Sequence, residues 1–391
     1  MIEPSTNKRP GNPVGVLITA RELNLGGVER DVSKIAMGLD RTRFTPHVAT
    51  YKAEGFRYEE LRSAGVPLLH LPLTSLYSAE AMRSARKLRR YIKDHKIQLV
   101  HSYDASGVFA APVARASRVP VVITSQLSYR AILDPRTRNL LRISDRFADA
   151  VLVNCEAIRQ YMIEDESVSA GQVELCYNGV VTSDFYPANG SANARPEQIA
   201  DASLVIGTVC AFRPEKALGL FQEAFAKVLA VQPESARPGI KLLLVGSGAE
   251  LPGLQANAER LGITGASVFV PATRDVAKWM RAIDIFALPS YSEAFSNSLL
   301  EAMACGCAVI GSRIGGTPEL TGSNEERGLL FRSGDVDEFA NKLARLSSDP
   351  ALRRDLGAKA ASFVRANLTI EIAVQRTSAI YDKLLTRKLK K

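Results

Sequence analysis

Short apolar segments rich in β-branched residues alternate with segments of helical periodicity along the chain. The strand-like segments of the first half are VGVLIT (14–19), HVATY (47–51), QLVHS (98–102), VVITS (121–125) and AVLVN (150–154). Those of the second half are LVIGTVC (204–210), KLLLVG (241–246), SVFV (267–270), DIFALP (284–289) and AVIG (308–311). Strands that alternate with helices are typical of βαβ units around a parallel sheet. The two series therefore predict an α/β chain with two doubly wound domains.

The length of 391 residues also favours two domains, because a single domain usually has about 100–200 residues. We expect an N-terminal domain over residues 1–183 and a C-terminal domain over residues 204–365. Residues 184–203 are rich in Pro, Asn, Ser, Ala and Gly and lack apolar periodicity, which indicates a linker. Residues 366–391 are expected to form a helix that packs back on the N-terminal domain and ends in a basic tail.

The first thirteen residues, MIEPSTNKRPGNP, are polar, and no run of 18 apolar residues occurs in the sequence. We therefore expect neither a signal peptide nor a membrane span. The five cysteines are an odd number for a disulfide framework and lie in apolar runs such as LVNC and GTVC, so buried free thiols are expected. These features predict a cytoplasmic protein.

The net charge of +9 favours polyanionic partners such as nucleotides, phosphorylated lipids or membrane surfaces. Part of the excess lies on a predicted amphipathic helix in residues 80–96, whose basic members are Arg83, Arg86, Lys87, Arg89, Arg90, Lys93 and Lys96. This helix is either an ordinary solvated surface helix or a patch that contacts an anionic acceptor or the inner face of a membrane. No aromatic stacking platform or nucleic-acid-binding motif occurs, so nucleic acid is not an expected partner.

The most informative segment is PSYSEAFSNSLLEAMACGCAVIGSRIGGTPEL, residues 289–320. A strand is predicted to end at Pro289, and Ser296 or Asn297 can cap a helix that Gly306 terminates. The free backbone N–H groups and the positive dipole end of such a helix form a site for a diphosphate. Glu293 lies just outside this helix terminus and Glu301 about one turn inside it.

This segment resembles the signature of the retaining family-four glycosyltransferases, in which two glutamates separated by seven residues precede a helix and a Gly-Gly turn. Glu293 and Glu301 match the two glutamates, and Gly315 and Gly316 with Glu319 match the following motif. The resemblance implies a GT-B fold, in which two Rossmann-like domains face an interdomain cleft. It implies an acceptor-binding N-terminal domain and a C-terminal domain that binds a nucleotide-sugar. The first glutamate would then lie near the transferred sugar and the second would hold the ribose.

Three further segments resemble parts of the same family. GTVCAFRPEKALGLFQEAF (207–225) is similar to the loop in which an Arg and a Lys clamp the diphosphate, here Arg213 and Lys216. YNGVVTSDFYP (177–187) is similar to the interdomain segment, although Thr182 stands where Asp is usual. ELNLGGVERDV (22–32) is similar to the first glycine-rich loop, where Gly26 and Gly27 bring the backbone close to the donor phosphates or the acceptor.

The resemblance assigns roles to individual residues. The expected catalytic residues are Glu293, Arg213 and Lys216. The expected donor-binding residues are Gly26, Gly27, Arg213, Lys216, Glu293, Phe295, Ser296, Asn297, Ser298 and Glu301. The acceptor-binding candidates are Gln126, Arg130 and His101.

The three acceptor candidates are selected for different reasons. The family often has a His after the fifth strand, where this chain has Gln126, which does not titrate near neutral pH. Arg130 can face an anionic acceptor. His101, at a predicted strand end, is either functional or a structural loop residue.

Asp335 and Asp337 match the D-x-D motif of a metal site. In the segment RSGDVDEFANKL, however, either of them is more readily the N-cap of a helix. We therefore expect no metal and no cofactor. The resemblance implies a retaining transfer of sugar from a UDP- or GDP-sugar to a glycan, lipid-linked or small-molecule acceptor, and the lack of a credible metal motif predicts that no metal ion is needed. A nucleotide-sugar epimerase, a phosphorylase or a non-catalytic nucleotide-binding protein on the same fold remain alternatives.

Overall fold

The computed structural model describes residues 12–187 and 195–389, which form two compact units. The N-terminal unit ends at Tyr177 and includes the returning chain from Ile370, and the C-terminal unit covers Asn178–Thr369. In the N-terminal unit, β1 (Val14–Ala20) is buried at every position, because helices cover both faces of a parallel sheet.

The N-terminal unit contains a seven-stranded sheet in the order β3-β2-β1-β4-β5-β6-β7, and all its described strand pairs are parallel. The strands after β1 are β2 (Phe44–Thr50), β3 (Leu68–His70), β4 (Ile97–Tyr103), β5 (Val121–Gln126), β6 (Ala150–Val153) and β7 (Val173–Leu175). The helices are α1 (Gly27–Gly38), α2 (Phe56–Ser63), α3 (Ala79–Asp94), α4 (Gly107–Ala116), α5 (Pro135–Asp145) and α6 (Glu156–Glu164). The strand order reverses between β1 and β4, which is the switch point of this sheet.

The C-terminal unit contains a six-stranded parallel sheet in the order β10-β9-β8-β11-β12-β13. Its strands are β8 (Leu204–Val209), β9 (Ile240–Val245), β10 (Ser267–Val270), β11 (Ile285–Leu288), β12 (Ala308–Ser312) and β13 (Leu329–Phe331). Its helices are α7 (Leu218–Ala230), α8 (Leu251–Arg260), α9 (Val276–Arg281), α10 (Asn297–Ala304), α11 (Thr317–Thr321), α12 (Val336–Ser348) and α13 (Pro350–Asn367). The predicted class, two doubly wound α/β domains, is confirmed. The switch point of this sheet lies between β8 and β11.

The boundary between the units differs from the sequence-based prediction near Asp184. Val180 forms a parallel bridge with Thr369, and its N–H donates to the carbonyl of Leu368 at 2.9 Å. Arg281 donates to the carbonyl of Asp184 at 2.7 Å. Residues 178–187 therefore pack on the C-terminal unit. Of the predicted linker, residues 188–194 lie outside the described part of the chain.

The final helix, α14 (Ile370–Leu389), belongs to the N-terminal unit and begins four residues after the predicted start of the C-terminal segment. Its buried residues include Tyr381 and Leu385, which join the apolar cluster around β1. Lys383 pairs with Glu174 at 2.6 Å, and Lys388 pairs with Asp149 at 2.6 Å. The helix is thus held on the first sheet by both apolar packing and ion pairs.

Among residues 12–187 and 195–389, no helix combines the length and the apolar character needed to cross a lipid bilayer.

The cysteines and the D-x-D segment behave as structural residues. All five cysteines are free thiols, and Cys155, Cys305 and Cys307 are buried. Asp335 caps α12, since its carboxylate accepts a hydrogen bond from the N–H of Glu338 at 3.0 Å. Asp337 pairs with Lys227. In the described part of the chain, no group of three or more potential metal-ligating side chains occurs.

His101, one of the predicted acceptor-binding candidates, is buried in β4. Its ring has no exposed surface. Nδ1 lies 2.7 Å from the Tyr381 hydroxyl of α14, and Nε2 lies 2.6 Å from the Ser125 hydroxyl of β5. Burial lowers the pKa of His101 from 6.5 to about 3, because a protonated imidazole loses its hydration in the core. Both ring nitrogens of this neutral imidazole thus have partners inside the N-terminal unit, and an acceptor-binding role for His101 stays a prediction.

The buried imidazole predicts a pH-dependent stability. The unfolded His101 takes up a proton below pH 6.5, whereas the folded one does so only near pH 3. The stabilisation is therefore complete above pH 6.5 and falls with pH by about 1.4 kcal/mol per unit. We expect His101→Gln to weaken the dependence of the free energy of unfolding on pH, because about one proton fewer is taken up on unfolding. Hydrogen exchange of the β1 and β4 amides between pH 7 and 4.5 measures this dependence.

Tyr381→Phe is the matched variant, because it removes the hydroxyl partner and leaves the buried imidazole in place. It should lower the stability at pH 7 by about 1–3 kcal/mol and keep the slope. An unchanged slope in His101→Gln would contradict a depressed pKa for this residue.

Candidate functional site

Two loops meet at the switch point of the C-terminal sheet. The first loop follows β8 and contains Arg213 and a single 3₁₀ turn, Pro214–Lys216. The second loop follows β11 and leads into α10. The N–H of Tyr291 in the second loop donates to the carbonyl of Glu215 in the first at 2.8 Å. This backbone hydrogen bond fixes the spacing of the two loops.

An ion pair joins the same two loops. Lys216 Nζ lies 2.6 Å from Glu293 Oε2, and the side chains are 19% and 13% exposed. The buried hydroxyl of Ser290 donates to the same carboxylate oxygen at 3.3 Å. Burial lowers the pKa of Lys216, but the charge and hydrogen bond of Glu293 outweigh burial, so the pKa is raised. Lys216 is therefore a cation at neutral pH, and its carboxylate partner is close to the protein surface.

The side chain of Arg213 is more exposed and less tightly paired than that of Lys216. Its side chain is 68% exposed, and its ion pair with Glu215 spans 3.9 Å. An exposed pair of this length contributes little to stability. The guanidinium can therefore reorient towards an anionic ligand at low cost, and its planar fork suits phosphate oxygens.

The N-terminus of α10 lies directly after the Glu293 loop. Ser296 is the N-cap, since its hydroxyl accepts a hydrogen bond from the N–H of Leu299 at 3.3 Å. Asn297 opens the helix and accepts a hydrogen bond from Asn178 at 2.9 Å, and Ser298 lies within 3.2 Å of the cap hydroxyl. The structure thus selects Ser296 from the two predicted caps. It also brings Ser296, Asn297 and Ser298 together at one helix end.

Phe295 and Glu301 are both buried, as is the N-cap Ser296. Phe295 is 5% exposed, so its side chain belongs to the core, and Glu301 is 4% exposed on the first turns of α10. A carboxylate at this depth needs polar partners. The ribose role assigned to Glu301 stays a prediction.

The Gly-Gly turn after β12 contacts the backbone of the Glu293 loop. Gly315 has φ +49°, and a Cβ added there would come within 1.8 Å of the carbonyl oxygen of Glu293. The N–H of Gly316 donates to the carbonyl of Ala294 at 2.6 Å. Only glycine combines this conformation with this close approach. The turn therefore sets the position of the Glu293 backbone.

Sequence reasoning missed a second glycine turn at this edge, residues 246–248 after β9. Gly246 has φ +153°, and an added Cβ would lie 1.8 Å from the carbonyl oxygen of Cys210. The N–H of Phe212 donates to the carbonyl of Ser247 at 2.9 Å. The turn thus holds the loop that carries Arg213. Its signal, a Gly-Ser-Gly directly after the apolar run KLLLV, was present in the sequence.

At the switch point of the N-terminal sheet, Gly26 precedes α1 as its N-cap. A Cβ at Gly26 would lie 2.0 Å from the Glu29 carboxylate, so the glycine lets the backbone pass close to this side chain.

Sequence reasoning missed Asp104, which follows β4 with φ +46°. Burial raises the pKa of Asp104 to about 6, against a hydrogen bond from the N–H of Leu127 that lowers it.

The other two acceptor candidates, Gln126 and Arg130, are also buried, and their acceptor-binding role stays a prediction. Gln126 is 2% exposed, donates to the carbonyl of Ser128 at 2.7 Å and accepts from Arg130 at 2.7 Å. Arg130 is 1% exposed and pairs with Asp145 at 2.7 Å. A buried guanidinium requires such a partner, because an unpaired charge in the core is strongly destabilising. Both side chains therefore serve the packing of the N-terminal unit.

Comparisons with known proteins agree with this architecture. Residues 25–184 match the family model described as Glycosyltransferase Family 4, and residues 191–363 match the model described as Glycosyl transferases group 1. The D-inositol 3-phosphate glycosyltransferase of Kribbella flavida is 32% identical over 241 residues, which is 60% of this chain and 56% of that protein. The N-acetyl-alpha-D-glucosaminyl L-malate synthase of Bacillus anthracis is 26% identical over 77% of this chain and 78% of its own length.

The match to the Kribbella protein thus spans little more than half of that protein's length. Among solved structures, a glycosyltransferase from Rickettsia africae superposes with a TM-score of 0.82 at 18% identity, covering 96% of this chain and 99% of its own. Anabaena HepE in complex with UDP and glucose also gives a TM-score of 0.82 at 19% identity, with 95% and 100% coverage. The likeness to these structures concerns the fold. Together with the two family models, it shows that the chain belongs to the glycosyltransferases of group 1 and family 4, with the GT-B fold.

Proposed function

We propose that this chain transfers a glycosyl group from a nucleotide diphosphate-sugar to a hydroxyl acceptor, with retention of configuration and without a metal ion. The observation that carries the proposal is the Lys216–Glu293 ion pair, beside the exposed Arg213 and the N-terminus of α10. UDP and GDP are the candidate nucleotides. UDP is the first to test, because HepE was solved with UDP and glucose.

The diphosphate would be bound by two cationic side chains and a helix terminus. Arg213 is free to reach phosphate oxygens, whereas Lys216 is held in place by Glu293. The first N–H groups of α10 add a further positive potential. Cleavage of the glycosyl bond increases the negative charge on the leaving diphosphate, so preorganised cations stabilise the transition state more than the ground state.

The two glutamates have different surroundings, which supports different roles. Glu293 lies in the loop before α10 and is partly exposed, so it can face the sugar ring, where positive charge develops. Glu301 lies inside the helix and is almost fully buried, and we assign it to the ribose hydroxyls. The ribose does not change in the reaction, so contacts to it contribute uniform binding.

Retention requires that the acceptor approaches the face from which the diphosphate leaves, or that a covalent intermediate forms. We favour approach from the same face. The bond between C1 and the phosphate oxygen breaks, the bond between C1 and the acceptor oxygen forms, and the acceptor proton passes to the leaving phosphate. The phosphate thus replaces an enzymic base in this step.

The acceptor is a glycan, a lipid-linked molecule or a small molecule. The relatives' names specify D-inositol 3-phosphate and L-malate, so small anionic hydroxyl compounds are the first to test. Since the three earlier candidates are buried, we assign acceptor contacts of the N-terminal unit to the Gly26 loop and Asp104. Release of free nucleotide diphosphate upon transfer would separate this activity from an epimerase or a non-catalytic binding protein.

Four variants should separate the roles in the site. Arg213→Ala and Lys216→Ala should each lower kcat by about 10²- to 10³-fold, because one electrostatic donor is lost from the transition state. Glu301→Gln should mainly raise the donor KM. Glu293→Gln should lower kcat and leave the affinity for the bare nucleotide diphosphate nearly unchanged. Initial rates and calorimetry with the nucleotide measure both effects.

Arg260→Ala is the matched control, because its side chain is 63% exposed on α8 of the same unit. It should leave kcat and KM unchanged. Unchanged kcat in both Arg213→Ala and Lys216→Ala, or loss of nucleotide binding in Glu293→Gln, would show that the assignment is wrong.

The Gly315 turn provides a second prediction. A methyl group at Gly315 would collide with the backbone of Glu293, and the positive φ adds about 1–3 kcal/mol of strain. We expect Gly315→Ala to destabilise the C-terminal unit and reduce turnover, measured by denaturation followed by fluorescence of Trp279, the one tryptophan of the chain. Gly253→Ala in α8, where an added Cβ meets no atom within 4 Å, should do neither.

A third prediction concerns metal and stereochemistry, and one reaction tests both. In the presence of EDTA, turnover should continue, since Arg213, Lys216 and the α10 terminus neutralise the diphosphate. NMR of the first product formed from an α-linked donor should show an α anomer. A β anomer would exclude retention, and activity that requires added Mg²⁺ or Mn²⁺ would exclude the metal-independent mechanism.

A further inference from the structure

One face of α3 (Ala79–Asp94) has an unusual concentration of positive charge. The helix buries Ala81, Ser84, Leu88 and Ile92. The basic residues on its exposed side are Arg83, Arg86, Lys87, Arg89, Arg90 and Lys93. At 100° per residue these six cations lie on the face opposite the buried one. We call this set the basic face.

The charges of the basic face are not neutralised by other described residues. Within residues 12–187 and 195–389, none of the six cations forms an ion pair, whereas Lys383 and Lys388 of α14 each pair with an acid. Glu80 accepts hydrogen bonds from the backbone N–H and hydroxyl of Thr74 at 2.7 and 3.1 Å. No other acid occurs in α3 before its last residue, Asp94. The basic face therefore carries six cations without an acid partner in the described residues, of which Lys87 donates to the carbonyl of His70 at 2.8 Å.

Two exposed apolar side chains accompany the basic face. Met82, 58% exposed, lies among the cations on the same side of α3. Tyr77, 91% exposed, directly precedes Ser78, the N-cap of the helix. Such large side chains gain free energy when they leave water for an apolar phase. Cations along a helix with exposed aromatic and apolar groups at one end are typical of helices that lie in a membrane interface.

We propose that the basic face, with Tyr77 and Met82, docks on the surface of an anionic phospholipid bilayer. The lysines and arginines would contact lipid phosphates, while Tyr77 and Met82 enter the interface. A helix of 16 residues is about 24 Å long, so its cations can reach several headgroups at once. A bilayer fits better than nucleic acid, because a nucleic-acid backbone offers no apolar phase for Met82. The proposal concerns binding alone and does not depend on the proposed activity.

The test is sedimentation of the full chain with vesicles of phosphatidylcholine, or of equal parts phosphatidylcholine and phosphatidylglycerol. We expect binding to the anionic vesicles only, weakened when salt shortens the screening length from about 10 Å to about 3 Å. The variant Arg86→Gln/Arg89→Gln/Arg90→Gln/Lys93→Gln should reduce the partition coefficient by at least about 100-fold, since each cation near such a surface contributes about fivefold. Tyr77→Ser/Met82→Ser should reduce it by about tenfold.

The matched control removes the same charge from the C-terminal unit: Arg345→Gln/Arg354→Gln/Lys359→Gln/Arg365→Gln, all exposed positions of α12 and α13. It should bind the anionic vesicles like the wild type, and far-UV circular dichroism should show that every variant is folded. An equal loss in both fourfold variants, or equal binding to neutral vesicles, would overturn the proposal. Binding to a DNA duplex but not to vesicles would show that the basic face serves nucleic acid instead.

Discussion

The switch point of the C-terminal sheet is the constraint on which the candidate site depends. Where β8 and β11 lie side by side, the strand order reverses, and the loops that follow these two strands come together at their carboxyl ends. This arrangement brings Lys216 and Glu293 to 2.6 Å although 77 positions separate them in the sequence. The hydrogen bond between Tyr291 and Glu215 and the turn at Gly315 then hold the two loops in register.

Depth of burial separates the two kinds of ion pair in this protein. The Arg130–Asp145 side chains are 1% and 6% exposed and pair at 2.7 Å inside the N-terminal unit, where Glu166 lies 3.6 Å from the guanidinium. The Lys216–Glu293 side chains are 19% and 13% exposed, so the pair keeps its geometry and still borders on the surface. The ion pair of Arg213, three residues before Lys216, is the longer 3.9 Å contact with Glu215. An exposed cation next to a partly exposed pair can contact an anionic ligand at the surface, whereas the cation of a fully buried pair is enclosed by the protein.

The positive charge of the chain is unevenly distributed. Many lysines and arginines are paired, and those of α14 help to hold the helix on the first sheet. The cations of α3 have no such acid in the described residues. Their exposure near Tyr77 and Met82 therefore marks a surface that differs from the candidate site at β8 and β11.

Much of the fold could be predicted from the sequence, because strand and helix periodicity depend on residues that are close along the chain. VGVLIT was predicted as a strand over 14–19, and β1 extends over Val14–Ala20. Caps are equally local, as Ser296 and Asp335 show. The motif spacing also indicated which loops carry Arg213, Lys216 and Glu293, since the glycines and caps around them are read from a few neighbouring residues.

What the sequence determined by itself was therefore the class of fold, the order of its elements and the loops that hold the charged residues. Only the tertiary structure decided which polar residues are buried. His101 lies beside the Tyr381 hydroxyl from 280 positions away, and Arg130 pairs with Asp145, so both side chains are engaged inside the N-terminal unit. Residues 178–187 join the C-terminal unit through contacts with distant residues such as Asn297 and Arg281. Burial is the sum of contacts between segments remote in sequence, and local periodicity does not contain that information.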